Sequence, residues 1–182
     1  MRDHKQNLCL ILPNIRSAHN VGSIFRNAGG AGIEKLYLCG ITPTPLDRFG
    51  RPRKDVAKVA LGAEKSVPWE HCVSTARLLT RLKKEGYAIF AVEQSSGSVP
   101  YGEKEALRPV VQTRRAQGKN QNVVLVFGDE VRGLSPSILK RADRILEIPM
   151  FGKKESLNVS VAFGIVAYRL REISHSTIPW NC

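Results

Sequence analysis

The chain has 182 residues, 42% of them apolar, which suits one compact domain with a sizeable core and rules out a disordered polymer. Its 28 Lys and Arg outnumber 16 Asp and Glu, so the formal net charge is +12 and a polyanion, nucleic acid first, is the expected partner. No apolar run reaches membrane-spanning length and the N-terminus has no signal-peptide layout, so no membrane partner and a cytoplasmic location are expected.

Leu8 to Leu12 is a short apolar run ending at Pro13-Asn14, which reads as a buried strand. His19 to Ala31 reads as a helix with Val21, Ile24, Phe25 and Ala28 as its apolar face, although its glycines oppose it. Lys35 to Cys39 is a second strand closed by Gly40, and a Pro/Thr/Arg-rich loop follows from Ile41 to Asp55. Val73 to Glu85 reads as an amphipathic helix on a Val73, Ala76, Leu79, Leu82 stripe, stopped by Gly86. Tyr87 to Val92, Val123 to Phe127 and Arg144 to Ile148 read as strands. The polar, basic stretch Ser95 to Asn122 between them has no firm period. Asn158 to Arg171 is the closing helix, with Val161, Ile165 and Tyr168 on one face. Strands alternating with helices predict an α/β fold with a mostly parallel sheet, whose ligands bind at the carboxyl ends of strands.

Cys9, Cys39, Cys72 and Cys182 form no C-x-x-C pair, and no histidine stands at metal-ligand spacing from them. Neither a disulfide framework nor a metal site is therefore expected.

Three blocks carry chemistry. Asn14 to Ala28 follows the first strand and opens a helix, with Asn20 and Arg26 as polar residues on an apolar background. Its helix start suits a phosphate, and it equally suits a surface helix with a cap. Val124 to Ser135 runs from a buried strand into a loop bounded by Gly128 and Gly133, with Glu130 inside it. An ordinary strand-to-helix turn, with Ser135 capping a helix at Pro136, accounts for much of that block. Ile148 to Ala162 is a Pro/Gly loop opening a helix at Ser156, Asn158 and Ser160, more polar groups than one N-cap requires.

Taken together, N-x-R-x-x-x-N-x-G-x-x-x-R from Asn14, G-x-E-x-x-G-L from Gly128 and S-L-N-V-S from Ser156 resemble motifs 1, 2 and 3 of the SpoU/TrmH family of SPOUT methyltransferases. The resemblance runs from about Asn14 to Ala167. It implies a SPOUT fold with a C-terminal trefoil knot, a homodimer, and transfer of a methyl group from S-adenosyl-L-methionine to an RNA ribose 2′-hydroxyl. Residues 1–173 would form the SpoU-type catalytic domain and 174–182 a short irregular tail. Carried over residue by residue, the catalytic set is Arg26, Asn20, Glu130, Ser156 and Asn158. The cofactor contacts fall at Val92, Glu93, Gln94, Phe127, Gly128, Gly133, Leu134, Ile148, Pro149, Met150, Ser156 and Leu157. RNA contacts are expected from Asn14, Arg16 and Arg26, and from Arg51, Arg53, Lys54, Arg114 and Arg115 in two basic stretches. The chain lacks the N-terminal RNA-binding extension of some relatives, so tRNA is the expected substrate ahead of rRNA. A non-catalytic RNA-binding protein of this fold is the alternative. A dinucleotide enzyme is disfavoured, because Gly29-Gly30-Ala31-Gly32 ends a helix where the fingerprint must join a strand to one.

Overall fold

A computed structural model describes residues 7–103, 122–129 and 131–174. Among the described residues seven parallel strands form one sheet: β1 (Leu8–Pro13), β2 (Lys35–Cys39), β3 (Trp69–Cys72), β4 (Ala88–Val92), β5 (Val99–Pro100), β6 (Val123–Phe127) and β7 (Arg144–Glu147). Their order across the sheet is β3-β2-β1-β6-β4-β7-β5. Every pairing is parallel, with β1 held between β2 and β6 in registers such as Leu10 with Leu36 and Leu10 with Leu125. Parallel strands must each be re-entered from the same end, so all strand carboxyl ends, and the loops after them, lie on one side.

Both faces of the sheet are covered, which is why the central strands are apolar at every position and do not alternate with polar residues. Leu8, Leu10 and Leu12 point to one face, under α1 (Ala18–Ala31), α2 (Lys54–Ala60) and α6 (Val159–Ser174). Cys9 and Ile11 point to the other, under α4 (Thr75–Lys84) and α5 (Pro136–Leu139). The short helix α3 (Ala63–Ser66) continues from α2. Cys9 and Cys39 serve as small core hydrophobes, and burial pushes their thiols up to about 11 and about 12. Among the described residues no helix is long and apolar enough to cross a membrane.

The five predicted strands and three predicted helices are present, with ends displaced by three residues at most. The sequence reading passes over α2, α3, β3 and β5; each is seven residues or fewer and too short to show a period. The predicted face of α4 is right at Leu79 and Leu82 and wrong at Val73, and that of α6 is wrong at Val161 and Tyr168. Val73 is 87% exposed and precedes the N-cap Ser74, whose hydroxyl accepts from the Arg77 N–H; Leu78 joins Leu79 and Leu82 on the buried side of α4. On α6, Val161 and Tyr168 are half exposed, and Phe163, Val166, Ala167 and Leu170 face the core instead. That helix is apolar nearly all round, so helical spacing alone selects neither stripe. Helix α6 also runs through Ser174, into the expected tail, and the rest of that tail lies outside the described residues.

Gly22 sets the approach of α1 to α2. A Cβ there would lie 2.7 Å from the Val56 carbonyl oxygen and 2.8 Å from the Val59 Cβ. Gly22→Val should therefore destabilise the domain by about 1–3 kcal/mol through overpacking. Gly102→Ala meets nothing within 4 Å and should stay within about 0.5 kcal/mol of wild type. Urea midpoints at unchanged m-value check both; equal midpoints would show that the α1–α2 contact is not tight.

Candidate functional site

The loops after β4, β6 and β7 meet the start of α6 around one cleft of about 560 Å³, a volume that suits a small-molecule ligand. Ten of the twelve residues carried over as cofactor contacts line it: Val92, Glu93 and Gln94; Phe127, Gly128 and Gly133; Ile148 and Met150; Ser156 and Leu157. Pro149 and Leu134 do not; Leu134 is buried, and its backbone N–H donates to the Glu93 carboxylate at 2.7 Å. Four carboxylates, Glu93, Asp129, Glu147 and Glu155, line the cleft in a protein of strong positive charge. The cleft is thus matched to a ligand bearing positive charge, while the overall balance favours a polyanion. Asp129, Glu147 and Glu155 are missed by the sequence reading, because an acid after β6, one at the end of β7 and one before α6 form no motif.

The loop after β6 is folded back on itself. The Asp129 carboxylate accepts from the Val131 N–H at 2.9 Å and the Arg132 N–H at 2.8 Å, and the Gly133 N–H donates to the Asp129 carbonyl at 3.1 Å. Gly133 turns the chain at φ +63°, a conformation that side chains disfavour. Any Cβ on Gly128 would fall on the Gly133 carbonyl, so only glycine lets the two limbs of the loop touch. Burial raises the Asp129 carboxyl, but the two N–H donors and the Arg16 charge outweigh it and hold the group below its usual range.

The first and third blocks meet through side chains. Asn158 precedes α6; its Oδ1 accepts from the Ser160 N–H at 2.9 Å and the Ser160 hydroxyl at 2.7 Å, so it is the N-cap. Its Nδ2 donates to the buried Asn20 Oδ1 at 3.0 Å. Asn27 Nδ2 donates to the Ser160 carbonyl, also at 3.0 Å. Ser17 caps α1 by accepting from the Asn20 N–H, so Asn20 is fixed from both sides. Ser135 occupies the N-cap position of α5, but its hydroxyl contacts the Ser137 hydroxyl and caps nothing.

Other expected site residues stand apart from the cleft. Arg26 is exposed and lines a second recess with His19, Asp55, Lys58, Val59 and Leu61, on the side where α1 meets α2. Asn14 adopts φ +58° and its side chain accepts from the Ile41 N–H, tying the loop after β1 to the loop after β2. Arg53 forms a two-point pair with Asp55 at 3.1 and 2.6 Å at the start of α2, so much of its guanidinium is committed within the chain. Arg16, Arg51 and Lys54 are exposed. Glu130, Arg114 and Arg115 lie outside the described residues.

The model of the SpoU rRNA Methylase family matches residues 7–168. Over 168 residues the chain is 30% identical to the tRNA (guanosine(18)-2′-O)-methyltransferase of Aquifex aeolicus (strain VF5), a match covering 92% of this chain and 70% of that one. It is 32% identical over 161 residues to the 23S rRNA (guanosine-2′-O-)-methyltransferase RlmB of Xanthomonas axonopodis pv. citri (strain 306), covering 88% of this chain and 57% of that one. The chain therefore spans little more than half the length of the Xanthomonas relative. The crystal structure of the A. aeolicus TrmH/SpoU tRNA modifying enzyme superposes with a TM-score of 0.75 at 28% identity, over 96% of this chain and 78% of that one.

Asp129 gives the cleft a pH signature. Its carboxyl is depressed in the fold, so the stability it contributes is complete above its unfolded value of about 3.9 and is lost as pH falls through the lower folded value. The stability gap between wild type and Asp129→Asn should be full at about pH 6 and close as pH drops below about 4. Urea titrations across that window measure it; a gap independent of pH would show that the charge on Asp129 does not hold the loop.

Proposed function

The chain belongs to the SpoU rRNA Methylase family, and from that premise we propose that it is an RNA ribose 2′-O-methyltransferase using S-adenosyl-L-methionine. The observation that carries the reading is the cleft itself. Three loops after parallel strands, separated in sequence, converge with the start of α6 on one small-molecule volume rimmed by carboxylates. S-adenosyl-L-methionine is a cation at its sulfonium and its amino group, and it supplies a methyl group already activated for transfer. The residues present fit it. The Gly128–Gly133 contact leaves backbone groups bare at the cleft wall, Leu157, Ile148 and Met150 offer apolar surface, and the carboxylates offer charge of the right sign.

The chain's own residues then have distinct tasks. Ser156 lines the cleft as an exposed hydroxyl and orients a reacting group. Asn158 and Asn20 act as positioning residues, since the amide of Asn158 is engaged at both ends in the protein. Arg26 supplies a fixed positive charge that binds an RNA phosphate and stabilises the alkoxide developing on the ribose. A guanidinium hardly deprotonates, so Arg26 is a stabiliser and not the base, and the hydroxyl proton passes to water as the methyl leaves sulfur for oxygen. Glu130 takes the acidic role that the family resemblance assigns it.

Arg26 does not line the cleft of its own subunit, and a homodimer resolves this: the partner subunit's Arg26 serves each cleft. The half-exposed stripe of Val161 and Tyr168 on α6 supports a face covered by a second copy. The trefoil knot and a cytoplasmic location belong to the same reading. Transfer RNA is favoured over ribosomal RNA, supported by the Aquifex tRNA enzyme being the relative matched over the larger share of its length.

Calorimetry on the purified protein should show S-adenosyl-L-methionine binding without added metal; a requirement for a divalent ion would contradict the assignment. Arg26→Ala should lower methyl transfer by about 100-fold or more with cofactor affinity nearly unchanged. Arg26→Lys should recover little, since lysine lacks the planar fork. Leu157→Glu should do the reverse and weaken the cofactor first. Near wild-type transfer by Arg26→Ala would remove it from the catalytic set. For the dimer, subunits carrying Arg26→Ala mixed with subunits carrying Leu157→Glu should regain part of the activity; mixtures as inactive as the two parents would exclude a shared site.

A further inference from the structure

The loop between β2 and α2 is long, but it is not loose. Asp47 organises its tip: the carboxylate accepts from the Phe49 N–H at 2.8 Å and the Arg51 N–H at 2.9 Å. The Asp47 N–H donates to the Arg51 carbonyl at 2.8 Å, and Gly50 turns at φ +76° with its N–H on the Asp47 carbonyl at 3.0 Å. Leu46 and Pro52 close the stem by an antiparallel bridge. This turn holds Phe49 outward, 65% exposed. A single exposed apolar side chain is ordinary on a protein surface. Here, however, the backbone is braced to present the ring, and two guanidiniums lie over it, Arg48 at 4.7 Å and Arg51 at 5.5 Å from its centroid.

We infer that Phe49, with Arg48 and Arg51, is a docking platform for one unpaired nucleotide of the RNA substrate. A base stacks on an aromatic ring irrespective of its sequence identity, and the flanking phosphates need cations within a side chain's length. Both arginines are exposed and long, so either can leave the ring for a phosphate as the base takes its place. The tip also stands just before α2, whose Asp55 and Lys58 line the recess that holds Arg26. The tip and the recess are thus joined by one short stretch of chain, from Arg51 to Asp55. A protein partner would be a poorer match for so small an apolar area ringed by positive charge. The inference rests on the RNA-methylating reading for its ligand, yet it is a property of the loop and can be tested separately.

The probe is a single-stranded RNA of about twelve nucleotides carrying 2-aminopurine at its centre, with a blunt duplex of the same sequence beside it. The full chain should quench the 2-aminopurine in the single strand far more than in the duplex. Phe49→Ala should remove the quench and weaken single-strand binding roughly tenfold, without changing the slope of log K against log salt. Arg48→Ala and Arg51→Ala should each flatten that slope by about 0.7. Phe49→Trp should restore affinity and quench, whereas Phe49→Leu, apolar but without a π face, should not. Cofactor affinity by calorimetry should be the same in all variants and reports that each is folded. Unchanged RNA affinity and quench in Phe49→Ala would overturn the inference, and so would a variant altered only in sedimentation, since the tip would then be a protein contact. Loss of the enzymatic reading has its own mark: wild type that transfers no methyl group to any RNA while still quenching through Phe49.

Discussion

Helix α6 is fastened to helix α1 at both ends, and the cleft depends on that grip. At one end the Asn158 carboxamide has no spare atom: its oxygen caps α6 and its nitrogen reaches Asn20 in α1. Asn27 adds a second tie to the Ser160 carbonyl. At the other end Arg171 of α6 donates to the carbonyls of Ala31 and Gly32, where α1 stops. A cation at a helix C-terminus satisfies carbonyls that lack intrahelical partners and meets the negative end of the helix dipole. Between these ties Phe163, Val166 and Ala167 seal the apolar contact. The residues just before α6 form the outer wall of the cleft, so the position of that wall is inherited from α1, which itself lies directly after β1.

Charge in the molecule is divided by scale. The surplus of cations spreads over the exterior and suits a long anionic polymer, whose affinity follows the number of phosphates met. The cleft, by contrast, is rimmed by acids drawn from different loops. Three of these acids are also structural, Asp129 by accepting the Val131 and Arg132 N–H groups. Glu93 accepts the Leu134 N–H and Glu147 accepts the Ser98 hydroxyl at 2.6 Å, so the groups that give the cleft its sign also hold its loops in place. A small cation and a large anion can thus bind to one domain without competing for the same groups.

Much of this was legible in the sequence. The unbroken apolar runs Leu8–Leu12 and Val123–Phe127 mark doubly covered strands, and the glycines and polar clusters after strands mark the cleft. What was not legible has physical causes. The outward faces of α6 could not be told from the inward ones because both are apolar. The short helices after the β2 loop are fixed by tertiary packing around Gly22, not by propensity. Asn158 and Asn20 stand 138 residues apart, and no local pattern announces a hydrogen bond across that distance. Arg26 was readable as a motif residue, but only the fold places it in a recess separate from the cleft.

The central position of β1 bears on how the chain is made. Synthesis delivers β1 first and β2 soon after, but the partner for its other edge, β6, emerges roughly a hundred residues later. Until then a strand of Leu, Cys and Ile presents an open backbone edge and a half-covered apolar face as the nascent polypeptide leaves the ribosome. At ordinary elongation rates of about 5–20 residues per second that interval lasts several seconds, long compared with hydrophobic collapse. The strand order alone thus leaves one edge and one apolar face of the nascent chain open to other chains for the length of that interval.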